Sequence, residues 1–192
     1  MKQIIRELKR QVAGEKLEEH EIVMGFFLLM AAGNDSTRST FSSGMRAIME
    51  DPDQRALVLE DPALVPDLVE EALRMFPAFA HFRRTASCDT ELHGQKIRAG
   101  EKVVMWYVSS NRDETRYEDS DRFDLRRKAE HQAFGAGGRH FCLGTALARL
   151  ELKVLFEETL RRFPDIEMDG RPVFVESPFI NQLKTLPVRL KP

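Results

Sequence analysis

Phe134-Gly135-Ala136-Gly137-Gly138-Arg139-His140-Phe141-Cys142-Leu143-Gly144 is the stretch on which the reading of this 192-residue chain turns. Four glycines fall within ten residues, and a helical pattern begins just past the cysteine. Glycine lets backbone come close to a ligand or to another segment. Amide N–H groups at a helix start, together with the helix dipole, favour an anionic sulfur. The thiolate is the form that serves as nucleophile or metal ligand. On the residues alone three roles stand open for Cys142. It can be a buried structural cysteine, a catalytic nucleophile, which needs a general base nearby, or a metal ligand.

Downstream of this loop, residues 143–160 predict a strong helix with Leu143, Leu147, Leu150 and Val154 on one face, ended by Phe163-Pro164. Short strands are expected after it. Upstream lies a polar loop over residues 111–125, preceded by the apolar run 103–108, which suits a buried strand. Residues 89–92 and 96–98 flank His93-Gly94 and read as a hairpin, and residues 82–86 read as a strand. Three helices precede these strands. One spans residues 66–76, one spans 51–60 between two Asp-Pro pairs, and a long one runs from about residue 18 to about residue 50. In the long helix Ile22, Val23, Phe26, Phe27, Leu29, Met30 and Ala32 point in several directions, which predicts burial. Residues 1–17 suit a short amphipathic helix. The expected class is mainly α with small β-sheets.

Composition narrows the function. At 42% hydrophobic and 31% charged the chain can bury a core. Its 29 basic and 31 acidic side chains exclude the strongly basic balance of a dedicated nucleic-acid binder. Two cysteines, Cys88 and Cys142, make no disulfide framework, and Cys88 reads as an ordinary strand-edge residue. The longest apolar run, residues 22–32, has 11 residues, against the roughly 20 of a membrane span. The first residues show no signal-peptide pattern. A reduced, cytoplasmic protein is the expectation.

The cysteine segment resembles the haem-binding loop of cytochromes P450, Phe-x-x-Gly-x-(His/Arg)-x-Cys-x-Gly. Gly138, His140, Cys142 and Gly144 fall on the motif, whereas Phe134 lies one residue too far upstream, which loosens its placing near the sulfur. Glu71-Ala72-Leu73-Arg74 matches the family's Glu-x-x-Arg motif. Glu71 falls within the apolar stripe of its helix, where an unpaired carboxylate is costly. Asp121-Arg122-Phe123-Asp124 resembles the family's later Arg-Phe segment, which implies that Arg122 completes a structural Glu71–Arg74–Arg122 cluster. Ala32-Gly33-Asn34-Asp35-Ser36-Thr37 is similar to the oxygen-activation segment, with Ser36 where the family has Thr. A back-bonded polar turn is the plainer alternative for residues 35–37.

The resemblance implies the following. The fold is the cytochrome P450 fold, C-terminal portion only. Residues 1–192 form part of a single domain whose N-terminal half is absent, so that residues 22–30 lack their cover. The cofactor is haem b, with Cys142 as axial thiolate and Phe134, Gly138 and Gly144 shaping the loop. Arg84 and His140 hold the propionates. Asp35, Ser36 and Thr37 steer protons, while Ala32 and Gly33 leave room over the haem. Ala32 and Gly33, with Ala78, Phe79 and Ala80, are the weaker candidates for substrate contact. His20, His81, His93 and His131 show no metal-ligand spacing and receive no role. The implied activity inserts one oxygen atom of O2 into a hydrophobic substrate (a sterol, branched lipid or terpene) and reduces the other to water. Electrons come from NAD(P)H through a ferredoxin-type partner, since no flavin or iron–sulfur motif occurs in the sequence. The alternative from another class is a truncated, non-catalytic fragment with weak haem binding or a partner-chain role.

Overall fold

The computed structural model describes residues 17–191. The helix expected over residues 1–17 lies almost wholly outside them. Two units divide the chain, one reaching to Ser36 and the other running from Thr37 onward. The first described helix, α1 (Glu19–Glu50), contributes residues to both. Its first turn carries Glu19 and Glu21, which suit the positive end of the helix dipole. In the first unit the apolar stretch is not buried as expected: Val23, Phe27 and Leu28 are among its exposed side chains. Apolar periodicity reports what a helix can bury, and the burial itself needs a partner surface. Among the described residues no helix is long and apolar enough to cross a membrane.

The second unit holds the core. Helix α2 (Pro52–Glu60) starts at Asp51, whose carboxylate accepts from the Asp53 and Gln54 amides while Pro52 supplies a preset first turn. Asp61 repeats the device before a short 3-10 turn, Pro62–Leu64. Helix α3 (Val65–Met75) follows, nearly every residue after its first turn buried. Ile48 of α1, Val58 of α2, Leu68 and Ala72 of α3, and the last long helix pack together. Gly44 makes this possible, since a Cβ there would come to 2.7 Å of Phe156 Cζ and 3.0 Å of the Ala72 Cβ.

Strand β1 (His81–Thr85) pairs antiparallel with β4 (Lys102–Trp106), and β2 (Thr90–Leu92) with β3 (Gln95–Ile97). The hairpin turn His93-Gly94 has both residues at positive φ, the geometry of a type I′ connection. Three differences from expectation appear here. The run 103–108 divides into β4 and a short helix α4 (Tyr107–Ser110), and β4 is not buried: Val104 and Trp106 are exposed. Cys88 lies in the bend between β1 and β2, not at a strand edge. The polar segment after α4 is a series of turns, as expected, but its first residue, Asn111, is fully buried.

The last long helix, α5 (Thr145–Arg162), also differs from its reading. Leu147, Leu150 and Val154 are exposed, as is Leu143 before the helix. The packed face is Leu152, Phe156 and Leu160. Both faces carry apolar residues, so periodicity alone did not choose between them. Burying Phe156 alone supplies about 1.5–3 kcal/mol. Beyond α5 come β5 (Glu167–Met168), β6 (Val173–Phe174), β7 (Leu183–Thr185) and β8 (Val188–Arg189), with β5 paired to β8 and β6 to β7.

Candidate functional site

The cysteine loop closes on itself. The Cys142 amide donates to the Phe134 carbonyl at 3.0 Å, and the Phe141 amide donates to the Gly138 carbonyl at 3.1 Å. Gly135, Gly137 and Gly138 all have positive φ, a conformation that side chains rarely adopt. These glycines absorb the extra residue, so Phe134 is tied to Cys142 by main chain despite its shifted place in the motif. Past the cysteine, Thr145 Oγ1 donates to the Cys142 carbonyl at 2.6 Å at the start of α5. Phe134 packs against the core, and this anchors the base of the loop.

Cys142 carries a free thiol and is exposed, which removes the reading as a buried structural cysteine. Its Sγ lies 4.0 Å from where a Cβ on Gly144 would sit, so glycine keeps the space beside the sulfur open. Among the described residues no group of three His, Cys, Asp or Glu can hold a metal ion. A lone thiolate is a poor site for a bare zinc ion, which takes four protein ligands or three plus water. It suits a metal that arrives with its in-plane ligands already attached, as haem iron does. Phe141 and Leu143 flank the sulfur and are exposed, Leu143 at 89%, with Leu147 and Leu150 exposed along α5. A thiol set among exposed apolar side chains would suit a large apolar cofactor whose metal still needs one ligand. The residues present therefore fit haem.

Arg84 and His140 are both exposed, and Arg84 Nη1 donates to the Arg83 carbonyl at 3.0 Å. The turn bearing Ala78, Phe79 and Ala80 is pinned from the far end of the chain. The Asn181 amide donates to Ala78 O at 2.9 Å, and the Ala80 amide to Phe179 O at 2.8 Å. Phe79 packs against Phe82 and Phe179, with ring centroids 5.5 and 5.1 Å apart. The sequence pointed to neither Phe179 nor Asn181, since both partners lie about a hundred residues away in the chain.

In the first unit, Ala32, Gly33 and Asp35 are exposed on an unbroken helix, and Ser36 Oγ donates to Ala32 O at 2.6 Å. The back-bonded geometry weighed for this stretch is thus present at Ser36, without a kink. Thr37, the first residue of the second unit, is buried.

The Glu71–Arg74 pair is fully buried, with Nη2–Oε1 and Nε–Oε2 both at 2.7 Å. The second guanidinium at Glu71 is not that of Arg122. Arg127 Nε approaches Glu71 Oε1 at 3.3 Å, while the exposed Arg122 offers only its carbonyl, to Arg74 Nη2 at 3.0 Å. The turns after Phe123 bring Arg127 back over α3, and the local resemblance around residue 122 concealed that return. A second cluster, which the sequence did not reveal, lies beside it. Glu70 accepts from Arg149 Nε at 2.6 Å and Nη2 at 2.8 Å, and from His131 Nε2 at 3.1 Å. Burial pushes the Glu70 carboxyl up, but the hydrogen bonds and charges of Arg149 and His131 outweigh it and hold it at about 2.

A family model described as Cytochrome P450 matches residues 2–182 of this chain. The methyl-branched lipid omega-hydroxylase of Mycobacterium bovis is 43% identical over 183 residues, covering 94% of this chain and 43% of that protein. The steroid C26-monooxygenase of Mycobacterium tuberculosis is 38% identical over 186 residues, covering 95% and 50%. Cytochrome P450-153 from Novosphingobium aromaticivorans superimposes with a TM-score of 0.88 at 39% identity, over 96% of this chain and 47% of that one. The chain thus spans half or less of the length of these relatives.

Proposed function

The chain belongs to the cytochrome P450 family, and from that premise we propose that it is part of a haem-thiolate monooxygenase acting on a hydrophobic small molecule. The observation that carries this reading is the exposed Cys142 thiol, held by Phe134 and the left-handed glycines in an apolar setting. Haem iron, when bound, supplies the capacity to bind O2 and accept electrons.

Everything else is the work of the chain. Cys142 Sγ binds as an anion, and the start of α5 favours that charge. Arg84 and His140 pair with the propionates, which suits charge-assisted hydrogen bonding. Ser36 Oγ gives its own proton to Ala32 O and keeps lone pairs to accept from a water. Asp35 carries a carboxylate that can take up and release protons next to it, and Thr37 adds a second hydroxyl. Ala32 and Gly33 keep side-chain volume small on the same helix. Phe79 and Ala80, both half-buried, present an apolar edge to the substrate, while Ala78 is buried within the same turn. The names of the relatives, a branched-lipid hydroxylase and a steroid monooxygenase, support a lipid-like substrate. Electrons arrive from NAD(P)H through a ferredoxin-type protein, in the cytoplasm.

The test is the spectrum of the reduced, CO-treated full-length protein, grown with ample haem. One haem per chain and a thiolate-type band are expected, and both vanish in Cys142→Ala. A Cys142→Ala protein that kept the band removes the cysteine from this role. A colourless full-length protein overturns the function and favours a non-catalytic member of the family.

A further inference from the structure

We propose that Glu70, His131 and Arg149 form a positioning device that fixes the cysteine loop and so sets how strongly Cys142 donates to its metal. The inference rests on the reading of Cys142 as the haem ligand and concerns three residues to which that reading gives no part.

The two stems of the loop are tied to one carboxylate. His131 precedes the loop. Its Nδ1 accepts from the Ala133 amide at 3.2 Å, which leaves Nε2 as the donor to Glu70 Oε2. Arg149 follows the loop on α5 and grips both oxygens of Glu70 through a bidentate fork. Both partners then meet the same ring. The Arg149 guanidinium carbon lies 4.8 Å from the centroid of Phe134, and the His131 ring centre lies 5.5 Å from it. Phe134 is the residue whose carbonyl takes the Cys142 amide. The path from Glu70 to the cysteine therefore runs through one ring and one main-chain hydrogen bond.

This placing has a chemical consequence. The Cys142 amide held by Phe134 O fixes the backbone from which Sγ projects. If Phe134 moves, that backbone turns and Sγ meets its metal at a less favourable distance and angle, which makes the sulfur a weaker donor. Partners behind a ligand tune a metal in this way, and their loss typically costs roughly tenfold or more in metal affinity. The side chain of His131 is only 2% exposed, so the cluster is built into the protein and is not a chance surface contact.

The test uses the full-length, haem-loaded protein with Arg149→Leu, Arg149→Lys and Glu70→Gln, alongside Cys142→Ala. Three readouts are taken on folded protein: the ratio of thiolate-type to thiol-type CO bands, the ferric–ferrous potential, and the rate of haem transfer to an apo-globin acceptor. In Arg149→Leu and Glu70→Gln we expect a larger thiol-type share, a higher potential, and haem release about tenfold faster. Lysine keeps the charge but loses the planar fork, so Arg149→Lys falls between. If Arg149→Leu does not fold, the other two variants decide by the same readouts. Variants that melt earlier but keep the parent's band ratio and potential overturn the inference, because the cluster then only stabilises the fold. A thiolate-type band surviving in Cys142→Ala overturns the haem reading itself, whatever the cluster variants show.

Discussion

Glu70 and Glu71 are neighbours on α3, yet they hold different parts of the molecule. Glu71 turns inward, where it and Arg74 are shut off from solvent. All five N–H groups of Arg74 find acceptors: the two Glu71 oxygens and the carbonyls of Asn111, Ser120 and Arg122. Glu71 Oε1 also takes the Asp124 amide at 3.0 Å. Glu70 turns toward α5 and the cysteine loop, with 28% of its side chain exposed and its partners at the edge of the core. One carboxylate staples the turns after α4 to the helices, and the other holds the loop that bears the thiol. The difference shows how adjacent residues of one helix serve two parts of the molecule, simply by pointing about 100° apart around its axis.

The largest expected effect breaks the inner half of this comparison. Replacing Glu71 by Ala leaves the Arg74 charge buried without its counter-ion. That costs about 3–5 kcal/mol, more than the intact pair contributes by itself. Urea unfolding of the variant should show it, and a loss below about 1 kcal/mol would mean that solvent reaches Arg74. The next effect sharpens the identity of the second arginine at Glu71. Arg127 donates to Glu71, to the carbonyls of Glu118 and Asp119, and to that of Arg122. Arg127→Ala should therefore cost about 1.5–3 kcal/mol. Arg122→Ala keeps the carbonyl in use and should stay within about 0.5 kcal/mol. Equal losses in the two variants would restore Arg122 to the cluster.

Legibility followed sequence distance. The loop from Phe134 to Gly144 and the pair Glu71–Arg74 could be read because their defining groups lie within ten residues or one helical turn. So could the His93-Gly94 hairpin, whose turn chemistry is local. Arg127, 56 residues from Glu71, and Arg149, 79 from Glu70, could not, since no local pattern announces which charge a fold will bring back. The faces of α5 failed for another reason. Leu147, Leu150 and Val154 are as apolar as Leu152, Phe156 and Leu160, and hydrophobicity gives no preference between two apolar stripes. On the packed side Gly44 opens room for the Phe156 ring, against which a Cβ would clash. The exposed stripe then lies on the helix that begins at the cysteine loop, where a large apolar cofactor needs a surface.

The smallest effect tests the outer half of the comparison through pH. Glu70 sits at about 2 in the folded protein, below the roughly 4.3 of an unfolded glutamate. The unfolded state therefore binds the proton first as pH falls. The stabilisation from Glu70 is full above the unfolded value and is lost as pH drops through the folded one. A shift of this size corresponds to about 3 kcal/mol at full burial, and the partial exposure of Glu70 and Arg149 reduces it to about 1–2 kcal/mol. Urea midpoints measured in about one-unit steps between pH 6 and pH 2, for the parent and for Glu70→Gln, isolate that contribution. The parent should lose stability more steeply than the variant over this window, and the two curves should converge at its acid end. Parallel curves would show that Arg149 and His131 hold Glu70 no better than water does. The tie between α3 and the cysteine loop would then be one of packing around Phe134, and charge would have no share in it.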